Sequence, residues 1–355
     1  MSNGEKIYSE VIKPHFSKRR LIFYLITAAA LILVFLKFSE LKLVGRIFLT
    51  ANLFWLGGII ITQILSYYSL ALNYRDVLMI KDLKIKAISL YPVTFIVQFL
   101  NQAIPSATIS GQIFFIQYLK KYGLSVIEGI GRAILEILTL IIAFGVLFFM
   151  ATILLAFDGQ LASNWVVAYI MYIFLFISVA LILAFFAFQK TKQGRISKWL
   201  INLFHRFFDK YDIKNRTDYV SLILDQMRQN LNLKELTKKK GLLFKAAFWQ
   251  GLILILNILT LFFISYAIGS KISFLVAFIV FTLIKFISLI AFVPGALGIF
   301  EGGMTLLLIS FGVGAGPALT MTLLFRAFTF WIPMPIGWLL YRYFLHRQEL
   351  ESPEP

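Results

Sequence analysis

The sequence predicts an all-α polytopic membrane protein, with about six full transmembrane helices and two re-entrant helical hairpins in an inverted repeat. Three observations lead there. Of 355 residues, 60% are hydrophobic and 14% charged, against roughly 45–50% and 25% in a soluble domain; the mean hydropathy is +0.84. The apolar residues fall in runs long enough to cross a bilayer. Two runs are broken by a proline and continue into similar glycine-bearing segments.

A hydrocarbon core about 30 Å thick needs about 20 apolar residues per helix. The full spans expected are 21–38, 48–72, 133–157, 165–188, 242–268 and 318–341. The first follows Lys18, Arg19 and Arg20. It is too long for a signal-peptide core and no small-residue cleavage site follows, so an uncleaved anchor is expected. The two irregular regions, 88–119 and 272–313, are the expected hairpins. This divides the chain into a segment 1–20, a membrane half 21–188, a polar insert 189–241, a second membrane half 242–341 and a tail 342–355.

Net charge is +17, and its placement orients the bundle. Residues 1–20 hold five Lys and Arg, 73–87 hold four and 189–241 hold thirteen, whereas 158–164 hold none. The positive-inside rule puts both termini, the 73–87 loop and the insert in the cytoplasm of a prokaryotic inner membrane. Basic loops in such a chain read as topology and anionic-lipid contact, not as nucleic-acid binding. The insert carries an apolar stripe, Ile196, Trp199, Leu200, Leu203, Phe204, Phe207 and Phe208, and a second through Val220, Ile223, Leu224, Met227 and Leu231. Either it lies on anionic headgroups or it packs as a helical hairpin on the bundle.

Cysteine is absent and the three histidines sit in polar stretches, so thiolate chemistry and a buried histidine metal site are not expected. No cofactor is implied, and no nucleotide loop or Ser/His/Asp order points to an enzyme.

The irregular regions share an order of elements. The first reads Asn101-Gln-Ala-Ile-Pro105 through Gly111-Gln112, the second Pro294-Gly295-Ala296-Leu297-Gly298-Ile-Phe-Glu301. Superposing Pro105 on Pro294 also aligns Gln112 with Glu301 and Gly123 with Gly312, and sets Arg326 opposite Ile137, beside Glu136. One unit starts from the cytoplasmic side and the other from outside, as in transporters built from inverted repeats. The helices after the breaks, near 106–119 and 299–312, reach about 21 Å at 1.5 Å per residue, short of a full span. Irregular backbone at that depth requires protein or a wet cavity around it.

Charges within apolar runs cost on the order of 2.5–3.5 kcal/mol each at a helix centre. Glu136, Lys285, Glu301 and Arg326 are such charges; Glu301–Arg326 and Glu136–Lys285 are the pairs considered. Glu128, Arg132 and Glu136 share a helix face, the first two nearer the surface with a structural role favoured. The candidate substrate-binding residues are Asn101, Pro105, Glu136, Lys285, Pro294, Gly295, Gly298, Glu301 and Arg326. Arg326 and Lys285 would hold an anionic headgroup while Glu301 gates the site or carries a proton. The alternative is a structural ion pair that sets helix register.

These residues resemble the lysylphosphatidylglycerol synthase transmembrane-region family of flippase-like integral membrane proteins. The resemblance rests on Asn101…Pro105…Gly111, Pro294-Gly295-Ala296-Leu297-Gly298-x-x-Glu301 and Arg326…Trp331-x-Pro333…Gly337, and it spans about residues 20–345. It implies translocation between leaflets of a lipid with a charged headgroup, an anionic phospholipid or a polyprenyl-phosphate-type lipid. Ala296 stands where the family usually has a second Gly. Gln112 replaces a common acid, and Ile137 stands where an Arg often follows. The soluble aminoacyl-transferase domain of the full synthases is not expected, since only residues 342–355 follow Tyr341. The alternative is a membrane-embedded accessory protein for lipid or envelope modification, and less favoured is a lipid-modifying enzyme using Glu301 and Glu136 as acids.

Overall fold

The computed structural model describes residues 52–104, 109–157, 238–290 and 294–351, all within one compact unit, Ala51–Pro355. The expected spans 21–38 and 165–188, both insert stripes and Pro105 lie outside the described residues. Within them the chain is helical, with no strand: α1 (Leu53–Ile80), α2 (Ala87–Ala103), α3 (Ile109–Lys120), α4 (Val126–Phe157), α5 (Lys240–Ala267), α6 (Phe274–Ile290), α7 (Ile299–Ser310), α8 (Ala315–Arg326) and α9 (Pro333–Glu351). Among the described residues four stretches are long and apolar enough to cross a membrane: Leu53–Ile80, Glu128–Met150, Lys240–Ala267 and Ala315–His346.

The core is the antiparallel pair α1 and α5. Asn52 N–H meets the Ala267 carbonyl at one end, and Lys239 Nζ reaches the Ile80 carbonyl at the other. Between them runs a polar seam. Thr62 and Gln63 bond Thr260, Ser66 bonds Asn257, Asn73 donates to the Ala246 carbonyl and Trp249 donates to Asp76. In a bilayer, apolar faces gain little from meeting each other, so small and hydrogen-bonding residues supply the adhesion. At Gly58 an added Cβ would lie 3.0 Å from Phe263, so the glycine lets α1 approach α5 closely.

The expected loop 73–87 is a correction. α1 continues to Ile80 because Tyr74, Val77, Leu78 and Ile80 are buried core; Lys81 caps it and Asp82 turns the chain away at φ 60°. The remaining loop keeps Lys81, Lys84 and Lys86. Since Lys239 bonds both Ile80 and Asp82, the two basic segments meet at one end of the bundle.

α4 begins seven residues before the expected 133. Ser125 N–H and Oγ donate to Glu128 Oε2 at 2.8 Å, while Ser125 Oγ accepts from Glu128 N–H at 3.3 Å. This reciprocal capping sets the helix start, so Glu128 is a cap and not a partner of Arg132.

α8 runs into α9 through a π-helical turn, Ala327–Trp331, closed by Ile332 N–H on the Ala327 carbonyl at 2.9 Å. Pro333 has no N–H and its ring crowds the carbonyl four residues back; widening the preceding turn makes room. α9 then packs on α2 at Gly337, where a Cβ would lie 2.5 Å from the Phe95 carbonyl oxygen.

Candidate functional site

The two proline-marked regions have the same build. Among the described residues α2 and α6 each cover 17 residues, and α3 and α7 each cover 12. Twelve residues reach about 18 Å, so α7, both of whose ends are described, is shorter than the 14-residue estimate. Gly123 after α3 and Gly312 after α7 both take left-handed conformations, φ 81° and 84°.

Each break is braced from within. In the first, Asn101 Oδ1 accepts from Gly111 N–H at 2.8 Å, and Ser110 Oγ donates to the Leu100 carbonyl at 2.7 Å. A Cβ on Gly111 would sit 2.5 Å from both Asn101 Oδ1 and the Val97 carbonyl oxygen. Asn101 therefore joins α2 to the start of α3. In the second, Gly295 has φ 55°, Ala296 φ 51° and Gly298 φ 81°. Glu301 Oε2 accepts from Gly298 N–H at 2.6 Å, and Arg326 Nη2 donates to the Gly295 carbonyl at 2.8 Å. Arg326 Nε lies 2.6 Å from Glu301 Oε1, an ion pair. The carboxylate also sits in the first turn of α7, where the helix dipole favours a negative charge.

A buried guanidinium belongs to each hairpin. Arg326 lies between Phe300 of α7, 4.9 Å from its ring centroid, and Phe330 of the π turn, 4.1 Å away. Arg132 lies between Phe115 of α3 at 3.6 Å and Tyr74 of α1 at 4.4 Å. Its Nη1 donates to Gln112 Oε1 at 3.0 Å, its Nη2 lies 2.8 Å from Glu136 Oε2, and Gln112 Nε2 donates to the same oxygen at 3.1 Å. Desolvated cations over aromatic faces gain of order 2 kcal/mol per contact, which offsets part of their burial cost.

Two expectations change here. Glu136 pairs with Arg132, one turn earlier on α4, so the Glu136–Lys285 pair does not form. The counterpart of Arg326 is Arg132 and not the aligned Ile137, which is exposed. Of the candidate residues, Gly295, Gly298, Glu301 and Arg326 come together; Asn101 and Glu136 bond within the first hairpin. The Pro294 backbone opens the second break.

Lys285 lies one turn beyond Phe281, whose ring meets Phe325 at 5.9 Å, so it is on the face of α6 turned to Arg326. Among the described residues no carboxylate pairs with Lys285.

The model of the lysylphosphatidylglycerol synthase transmembrane region matches residues 21–337. The chain belongs to that family. A UPF0104 membrane protein of Pyrococcus horikoshii is 22% identical over 323 residues, spanning 89% of this chain and 95% of the relative. Another, from Methanothermobacter thermautotrophicus, is 27% identical over 252 residues, 70% of this chain and 73% of the relative. No solved structure matches. Ala296 takes the left-handed conformation, φ 51°, one that an L side chain resists.

Sequence reasoning missed Asn73, Tyr74 and Asp76, which are buried on α1. Their signal was available. The buried polar residues Thr62, Ser66, Ser69, Asn73 and Asp76 recur at alternating spacings of four and three, the period of a helix seam.

Proposed function

We propose that the protein is a lipid translocase of the inner membrane, carrying a lipid with an anionic headgroup between leaflets while its acyl chains stay in hydrocarbon. The observation that carries this reading is the pair of equally built helix–break–helix units, each presenting a short helix to a guanidinium buried within an apolar bundle. Charges in such places mark substrate paths more often than they serve as inert structure. Half-length helices in repeated units are a common way to build a site at mid-membrane. On this reading both units are re-entrant, they enter from opposite faces as an inverted repeat, and the end carrying Lys81, Lys84, Lys86 and Lys239 faces the cytoplasm together with both termini. Glu301, Arg326, Lys285 and the Gly298 N–H meet the headgroup, while Asn101, Pro105, Pro294 and Gly295 shape the breaks.

Reconstitution into vesicles with fluorescent anionic lipids tests the proposal. Dithionite quenching should show leaflet exchange at least tenfold above protein-free vesicles. Exchange at the protein-free rate for every headgroup tried would overturn it.

A further inference from the structure

Helix α8, the π turn and α9 form one continuous run, and it touches both hairpins. Arg326 and Phe330 hold the second break. Arg326 donates to the Gly295 carbonyl, and a Cβ on Gly295 would lie 2.8 Å from Phe330 Cζ. Gly337, Tyr341 and Phe344 hold the first hairpin by both its helices. A Cβ on Gly337 would lie 2.6 Å from Phe99 Cβ on α2. Tyr341 meets Phe99 at 6.3 Å and Phe114 of α3 at 5.7 Å, and Phe344 meets Phe114 at 5.1 Å and Tyr118 of α3 at 5.8 Å.

In an unbroken α-helix, turning about 100° per residue, Arg326, Phe330, Gly337, Tyr341 and Phe344 would fall within about 60° of one another, on a single stripe. They serve two partners instead. The π turn Ala327–Trp331 holds one residue more than an α turn before Ile332 N–H closes on the Ala327 carbonyl, so everything beyond it is turned back by about 100°. The stripe is thereby split into one face for the second break and another for the first hairpin. Thr329 Oγ1 donates to the Phe325 carbonyl where the register changes. Pro333 and Pro335 disfavour the alternative, because in a regular helix their rings would crowd the carbonyls of Thr329 and Trp331, four residues back.

We propose that the π turn is the device that couples the two hairpins, by setting the angle between the grip on the second break and the grip on α2 and α3. Closing it to an α turn rotates one half of the run against the other. Either Arg326 and Phe330 then leave Gly295, or α9 leaves the first hairpin. Only the π-turned arrangement holds both, so a displacement at one hairpin is felt at the other. Such coupling needs an element with two discrete arrangements that both sites bias, and it runs equally in both directions. The inference goes beyond the translocase reading and stands without it. Its readouts are a distance and amide exchange, so leaflet exchange at the protein-free rate would sink that reading alone.

The chain has no cysteine, so the full-length protein in lipid nanodiscs can be spin-labelled through Leu319→Cys on α8 and Leu339→Cys on α9, both exposed. Replacing both prolines, Pro333→Ala with Pro335→Ala, should shift the label-to-label distance by about 5 Å or more, since a turn of about 100° carries a side chain across much of a helix about 10 Å wide. An unmoved distance overturns the inference. Hydrogen exchange is the second arm. Gly337→Ala acts at the α9–α2 contact, where a Cβ would lie 2.5 Å from the Phe95 carbonyl oxygen. It should nonetheless speed exchange of the Gly298 and Gly302 N–H groups, which are bonded within the second break, about tenfold. Phe330→Ala should act in reverse on the Gly111 N–H of the first break. Gly58→Ala crowds α5 at Phe263 instead and should leave both breaks at their native rates. Equal acceleration by all three variants would be general loosening and would overturn the coupling, as would native exchange of the second break in Gly337→Ala. The proline pair adds no bulk to any contact, so it decides by itself if Gly337→Ala does not fold.

Discussion

The Arg132 and Arg326 clusters place the same components in different states of closure. Both clamp a guanidinium between two rings, one of them from the short helix of its hairpin. Arg132 is 0% exposed and its carboxylate partner 11%, with Gln112 bridging the two. Arg326 is paired to a carboxylate at the edge, beside a second cation. The comparison teaches that two similarly built ion pairs can differ in depth: the Arg132 pair is enclosed by both hairpin and bundle, whereas the Glu301 end of the Arg326 pair reaches the edge.

Arg132→Ala should have the largest effect on the fold. It leaves Glu136 without its cation and empties the space between Tyr74 and Phe115, costing about 3–5 kcal/mol. Thermal unfolding in detergent should show this, and a loss under about 1 kcal/mol would break the contrast. Arg326→Ala should cost less stability, about 1–3 kcal/mol, because Glu301 can turn to water, yet lower lipid exchange at least tenfold. Equal stability losses for the two variants would mean that closure does not separate the clusters.

The hairpins can be compared by adding a methyl group to each. Gly111→Ala drives a Cβ onto a backbone carbonyl and Asn101, an overpacking of about 1–3 kcal/mol. Gly303→Ala meets only the end of the Ile284 side chain and should cost under about 1 kcal/mol, as a flexible tip can move aside. If the order is reversed, the first break is the looser one. A smaller gain is expected from Ala296→Gly, which relieves a left-handed alanine by about 1 kcal/mol. Unchanged stability would show that the second break is already relaxed.

The smallest effect lies outside the membrane. The Lys239 ammonium, 2.7 Å from Asp82 Oδ2, holds that carboxyl below its ordinary value of 3.8, first through the hydrogen bond and then through its charge. A lowered carboxyl contributes stability above pH 3.8 that is lost as acid protonates it. Lys239→Met should bring the Asp82 titration back toward 3.8 by NMR and leave unfolding at pH 7 nearly unchanged, since exposed pairs are screened. An unmoved titration would mean that the basic ends of α1 and α5 are not joined there.

Much was legible before folding was considered. Run length and composition marked the membrane spans, because a bilayer accepts little else. Pro294 and the glycines around it announced a break, and charges within apolar runs named Glu301 and Arg326 as partners. Boundaries were less legible. Counting Arg75 among the basic residues of a 73–87 loop ended α1 early and hid the seam that holds α1 to α5.

The sequence by itself determined that this chain lives in a membrane, where it is interrupted and which of its charges must be sheltered, because those follow from solvation applied residue by residue. Only tertiary structure decided which charge meets which. Pairing depends on helix rotation and on what lies across the interface: Glu136 turned to Arg132 and Gln112 rather than to Lys285, and so left an ammonium near Arg326 with no carboxylate of its own among the described residues.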